Sequence, residues 1–267
     1  MEKSVFYEEL TSTQLKLLCD QNRVVLFSFG SVEQHSSHLP VGTDYLCSLH
    51  RVESIAKKTD SIVFAPFLVG YSFNHKDMFS TISLSPEVML QATCDVFKQF
   101  CKQGWKRFLI FSGHAGNWAI LELAVQVARE DYPFAQFILA KGLPNLGVQH
   151  NINRFLQNFD YHAGRVETAL VAHFCPQYLD AERIPYGNDS LPELVQRHIK
   201  NGINDIYDEL LLKAYTPQKT SIISSNGIWG TQDPHEYKDV PVKEAMDKYE
   251  DFFVNLISRW NDWETKR

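Results

Sequence analysis

Four short runs of consecutive apolar residues mark the first half of the chain. They are Val24-Val25-Leu26-Phe27-Ser28-Phe29, Ser61 to Ala65, Arg107 to Phe111 and Gln136 to Ala140. Their β-branched and aromatic content predicts strands. Apolar character that is continuous rather than alternating suits a sheet covered on both faces. Helical periodicity fills the intervals, at about Asp44–Lys57, Pro86–Gln103, Asn117–Glu130 and Ala163–Phe174. Ser85-Pro86 reads as a helix start, with serine as the cap and proline in the first turn. A polar stretch from Pro192 to Lys213 predicts an added helix, and Val242–Trp260 a last helix packed back on the body. Strands alternating with helices give an α/β fold with a mainly parallel sheet. With no repeat, low-complexity tract or linker, a single domain over residues 1–267 is expected.

Composition narrows the function classes. A chain of 267 residues buries enough surface to fold without a disulfide or a metal. Its net charge of −6, with no cluster of Lys or Arg, excludes a nucleic-acid or anionic-membrane binder. Five cysteines form no CxxC pair and leave an odd number, so neither a disulfide framework nor a thiolate zinc site is expected. Cys94 and Cys101, seven apart, fall on one helix face and read as core. No run of 18 apolar residues spans a membrane, and the first residues lack a secretory pattern, so a cytoplasmic location is expected.

The polar residues that follow the strands carry the chemistry. In such folds, ligands bind beyond the carboxyl ends of the strands. The first strand runs into Gly30-Ser31-Val32-Glu33-Gln34-His35-Ser36-Ser37-His38-Leu39-Pro40-Val41-Gly42-Thr43-Asp44. Glu33 and His35, two apart, share a side in extended backbone, and Asp44 returns at the start of the next helix. Tyr71-Ser72-Phe73-Asn74-His75 follows the second strand, and Gly113-His114-Ala115-Gly116-Asn117 forms a turn after the third. Further on, His162 and Glu167 stand five apart. An ideal helix would rotate them by roughly 140° net, so His162 is placed in the loop and Glu167 in the first turn of its helix. Carboxylates and imidazoles without thiolate suit zinc, manganese or iron(II). Two ions about 3.5–4 Å apart and bridged by a carboxylate, or one ion on three ligands, are both compatible with this set. Taken singly, Asp44 is a helix cap, His114 a core histidine and Glu167 a solvated helix residue. Their joint occurrence on one sheet edge favours a metal site. No GxSxG, P-loop, GxGxxG or HExxH motif competes with it.

These residues resemble the creatininase family of metal-dependent amidohydrolases. The family pattern GS-x-EQHG-x-HLP-x-x-TD is similar to Gly30–Asp44, its (N/S)GHGGN to Ser112–Asn117, its HAG-x-x-ETS to His162–Ala169, and its GV-x-G-D to Gly227–Thr231. The match runs over about residues 23–260. The resemblance implies a three-layer α/β/α fold, one or two divalent ions (Zn, Mn or Fe(II)) and a homo-oligomer, hexameric in the family. It implies Glu33, Asp44 and His114 around one ion, and His35 and Asp44 around the second with Asp44 as bridge. His162 would act as acid or base near the substrate. Creatinine-hydrolysing members carry a further Glu ligand where this chain has Gly116, and Glu167 is its natural replacement, as ligand or as catalytic group. His75, Asn117 and Ser72 are candidates for substrate contact.

The implied reaction is hydrolysis of a C–N bond, of cyclic-amide or formamide type, in a small molecule. Other departures argue against creatinine itself. The family's EH-x-x-FPGT reads Asn74-His75-Lys76-Asp77-Met78-Phe79-Ser80-Thr81 and loses the Pro-Gly turn, while Ser36-Ser37 replace a Gly-Pro. The loop from Lys141 to His162 lacks the tryptophans that close over creatinine. Alternatives are a hydrolase or isomerase acting on a sugar-like cyclic ketone, a peptidase of cofactor maturation, or a non-catalytic metal-binding scaffold subunit. The residues from Asn188 to Lys219 are the expected seat of specificity or assembly differences.

Overall fold

The computed structural model describes residues 4–141, 160–186, 219–230 and 233–265. The expected helix at Pro192–Lys213, most of the loop from Lys141 to His162 and most of Asn188–Lys219 lie outside the described residues. Strands β1 (Val25–Phe29), β2 (Ile62–Phe64), β3 (Arg107–Ser112) and β4 (Gln136–Leu139) form one sheet in the order β2-β1-β3-β4. Every pairing is parallel, with Val25 opposite Ile62 on one side and Phe108 on the other. The parallel ladder brings the carboxyl ends of the strands to one edge.

Alternation along the strands divides the core in two. Val25, Phe27, Phe29, Phe108 and Ile110 face helices α1 (Ser12–Asp20), α3 (Pro86–Lys102) and α4 (Trp118–Asp131). Val24, Leu26, Val63, Leu109 and Phe111 face α2 (Thr43–Thr59) and the C-terminal helix, α6 (Val242–Thr265). Both faces are therefore covered, as the apolar runs predict, and the layers are α/β/α. Cys94 and Cys101 lie buried on α3, and all five cysteines are free. No helix of the described residues is long and apolar enough to cross a membrane.

A third cluster joins Leu39, Cys47 of α2, and Val171 and Cys175 at α5 (Arg165–Phe174), with Ile228. Beside it, β5 (Asp160–His162) pairs antiparallel with β6 (Trp229–Gly230), a two-stranded addition between distant parts of the chain that periodicity does not announce in strands this short. Helix α5 begins two residues later than the pattern predicts. Ala163 adopts a left-handed φ of 51° and Gly164 is extended, which stops the helix from starting before Arg165. His162 consequently ends a strand rather than lying in a loop, while Glu167 occupies the first helical turn as expected. Ser85 caps α3 through its side chain, with Pro86 in the first turn.

Candidate metal centre

The carboxyl edge of the sheet opens on a cavity of about 240 Å³. Glu33, Asp44, His75, His114, His162 and Glu167 line it, and His35 is fully buried beside them. Glu33 and His35 come from the loop after β1, Asp44 from the first turn of α2 and His114 from the turn after β3. Asp44 does not cap its helix: Gly42 holds that position without a side-chain bond. Its carboxylate turns inward, accepting from Ser31 Oγ at 2.6 Å and lying 3.1 Å from His114 Nδ1.

Three overlapping groups bring their donor atoms within 4.8 Å of one another: Glu33, Asp44 and His114; His35, Asp44 and Glu167; and Glu33, His35 and His162. Asp44 belongs to the first two. Its Oδ2 faces His114 and its Oδ1 lies 3.5 Å from His35 Nε2, which is 3.6 Å from Glu167 Oε2. Glu33 Oε2 approaches His114 Nδ1 to 3.2 Å without the alignment of a hydrogen bond. The imidazoles are aimed from behind. His35 Nδ1 donates to the Glu33 backbone carbonyl at 3.1 Å, and His114 Nε2 to the Tyr71 carbonyl at 3.0 Å. The opposite nitrogen of each ring thereby points at the carboxylates, the orientation that metal-ligating histidines take up once an ion displaces the proton held there. Glu33 Oε2 and His35 Nε2 are buried without a hydrogen-bond partner, a costly state that a shared cation removes. The donor set fits one or two divalent ions.

Electrostatics agree. Among the described residues, only imidazoles pair with Glu33, Asp44 and Glu167. Burial works against charge on His35, but Asp44, Glu167 and Glu33 outweigh it and raise this imidazole to about 10. His114 is likewise raised, against its burial, by Asp44 and Glu33. Asp44 ionises well below the usual carboxylate range because His35 and His114 overcome its burial. Burial pushes Glu167 up to about 7, and burial lowers both His162 and His75, His162 also feeling His35. The protein thus balances buried carboxylates with imidazolium, a charge that a divalent cation would supply.

Two departures from the family pattern look different in three dimensions. Ser36 and Ser80, which stand where the pattern has glycine, keep left-handed φ values of 60° and 73°. The backbone of both turns is therefore retained at the cost of strain in a non-glycine residue. Gly116 has a physical reason: a Cβ there would meet His114 Nε2 and the Tyr71 carbonyl at 2.5 Å. A glutamate ligand cannot stand at this position while Tyr71 orients His114, and Glu167 reaches the cluster from α5 instead.

Not every expected contact residue reaches the cavity. His75 lines it, but Asn117 and Ser72 are fully buried behind its wall. Asn117 accepts from the Tyr71 N–H and donates to the Gly30 carbonyl and Ser112 Oγ, so it ties the site's loops together rather than meeting a ligand. Sequence reasoning missed Gln34, Ser31, Tyr71, Tyr161 and Trp229. Gln34 and Ser31 lie inside the first motif, where position alone could have flagged them. Trp229 stacks on Tyr161 and tilts against His75, a wall that only the β5–β6 pairing creates. Gly227 closes this region with a φ of 82°, and a Cβ there would fall 1.9 Å from Gln34 Oε1. Gly227→Ala is expected to lose about 1–2 kcal/mol from the backbone alone, and more from the clash. Urea unfolding measures it, and a variant of parental stability would contradict the packing described.

A profile of the family described as Creatininase, creatinine amidohydrolase, matches residues 8–256. A 3-dehydro-scyllo-inosose hydrolase of Thermotoga maritima is 22% identical over 188 residues, 67% of this chain and 58% of that protein. The chain thus spans less than two thirds of that relative's length. A mycofactocin precursor peptide peptidase of Mycobacterium ulcerans is 24% identical over 247 residues, covering 88% of this chain and 85% of that one. Among solved structures, a creatininase designated as the Mn form superposes with a TM-score of 0.72 at 16% identity, over 96% of this chain and 99% of the other. That likeness bears out the α/β/α fold.

Proposed function

The chain belongs to the creatininase family, and on that premise we propose that it is a metal-dependent amidohydrolase that opens a C–N bond in a small cyclic amide or formamide-type substrate. The observation that carries this reading is Asp44, one carboxylate between two histidines whose other nitrogens are pinned to carbonyls. In it, Glu33, Asp44 and His114 would hold one ion, and His35, Asp44 and Glu167 a second. Bound divalent ions supply the positive charge that activates water and stabilises the oxyanion of an attacked carbonyl. Manganese and zinc are the ions to try first, since solved creatininases designated as the Mn form and as a Zn-Zn type share the fold.

The chain's own groups do the rest. Glu33 and His35, both buried beside the cavity, present a carboxylate and an imidazole from the loop after β1. His162, neutral and bare at Nδ1, takes a proton within the cavity and returns it to the leaving nitrogen. Glu167, which burial pushes up to about 7, serves as ligand or as a second proton carrier. The cavity, about 240 Å³, is of a size to take a small ring. A second reading, hydrolysis of a cyclic ketone, draws on the inosose hydrolase among the relatives. Assembly as a homo-oligomer and a cytoplasmic location belong to the same proposal and rest on resemblance and composition.

A panel of cyclic amides, formamides and cyclic ketones, offered to the zinc- and manganese-loaded protein, separates these readings. Turnover is expected with an amide or formamide. Turnover of ketones alone would move the assignment to the second reading, and none at all in fully loaded protein would leave a binding scaffold.

A further inference from the structure

Gln34 stands between two of the proposed ligands, is buried, and has no part in the chemistry described so far. Its surroundings allow each proton to be placed. His162 Nε2 lies 2.7 Å from the Gln34 backbone carbonyl, which can only accept. Nε2 therefore carries the ring's proton, and His162 Nδ1, 3.5 Å from Glu33 Oε1, is bare. The Gln34 side-chain Oε1 accepts from the Ser36 N–H at 3.0 Å, which fixes the amide's orientation and leaves two Nε2 hydrogens. One goes to the Gly227 carbonyl at 3.1 Å. The other has His162 Nε2 at 3.0 Å and His75 Nδ1 at 3.2 Å in range. The first already bears a proton, so His75 Nδ1 accepts.

His75 must then carry its proton on Nε2, which lies 3.7 Å from the same Glu33 Oε1. The Thr220 hydroxyl does not decide the matter. It is 2.7 Å from His75 Nδ1 and 2.8 Å from the Asn74 carbonyl, and its one hydrogen suits either tautomer. The two rings stack with centroids 4.0 Å apart. Gly227, with no Cβ, lets its backbone close on the amide and holds it in place.

We propose that Gln34 is a positioning residue that sets opposite tautomers on the stacked pair His75 and His162, so that an N–H from His75 and a lone pair from His162 meet side by side at Glu33. Such a pair gives a reacting group one proton donor and one acceptor without either ring having to rotate. Its consequence for turnover rests on the hydrolase reading; the tautomers do not.

The test is ¹⁵N-histidine NMR on the zinc-loaded protein, with His75→Gln and His162→Gln spectra for assignment. In the parent, His75 is expected bare at Nδ1 and protonated at Nε2, and His162 the reverse. Gln34→Glu replaces the donor with an acceptor of the same shape. It is expected to move the His75 proton to Nδ1 while zinc content and the His162 tautomer stay as they were. Should that variant not fold, Gln34→Met removes the donor without adding charge and, with Thr220 suiting either tautomer, is expected to let the Nδ1-protonated form of His75 appear beside the parent form. A parent His75 protonated at Nδ1, or a tautomer unmoved by the folded variant, overturns the proposal. With a substrate from the panel, turnover should fall by about 10²–10⁴-fold, the range of a misplaced acid or base. A moved tautomer with unchanged turnover would overturn the catalytic consequence. Correct tautomers in a parent that hydrolyses nothing would count against the hydrolase reading alone.

Discussion

Asp44→Ala is expected to strip the protein of bound divalent metal and of hydrolysis in one step. The carboxylate sits in both principal donor groups, with one oxygen toward His114 and the other toward His35. Alanine leaves each group with two donors, too few for the three-ligand minimum of a catalytic site. It also removes a carboxylate charge that raises the His35 and His114 imidazoles. Turnover should fall by roughly 10³-fold or more, because several kcal/mol of charge stabilisation leave with the ions. Elemental analysis beside a substrate assay reads both effects. Full metal content with lost activity would remove Asp44 from the shared position.

His162→Ala should behave in the opposite way, keeping its metal and losing turnover. Neither principal group contains this ring, and its Nε2 is spent on the Gln34 carbonyl. The neutral Nδ1 facing the cavity is what a proton carrier requires, and losing one such group costs typically about 10²–10⁴-fold. The ring is packed between His35 and His75, at 4.3 and 4.0 Å between centroids, so the variant also opens space. His162→Gln refills it without restoring a base and should be equally slow. Unchanged turnover in either variant would remove His162 from proton transfer, and loss of metal would make it a ligand through the third donor group.

The sheet and most of its flanking helices were legible because burial on both faces writes itself as continuous apolar runs. Val24–Phe29 and Arg107–Phe111 need no neighbours to be recognised. Helix α1 was missed although Thr11 and Gln14 form a capping box at its start, a local signal weaker than the apolar runs around it. The β5–β6 pair could not be read, since strands of three and two residues carry no period and exist only through their contact. In the site, Glu33, His35, Asp44, His114 and Glu167 were legible as chemistry concentrated after strands, and the fold brings them together. Their division of labour was not legible. That Asn117 is a buried tie and Gln34 a neighbour of two imidazoles depends on residues more than forty positions apart in sequence. The meaning of Ser80 was also hidden, because a lost Pro-Gly pair suggests a lost turn, whereas the backbone keeps its left-handed φ.

The most direct test of a shared-carboxylate metal centre is calorimetric titration of the metal-free protein with zinc, repeated in buffers of different ionisation enthalpy. The proposed centre binds two ions per chain and releases protons as they bind, because His35 and His114 hold protons that the ions must displace. A single ion per chain would leave Asp44 as an ordinary ligand. No binding at all would mean that the buried carboxylates are balanced by imidazolium alone, and the hydrolase reading would fall with the metal.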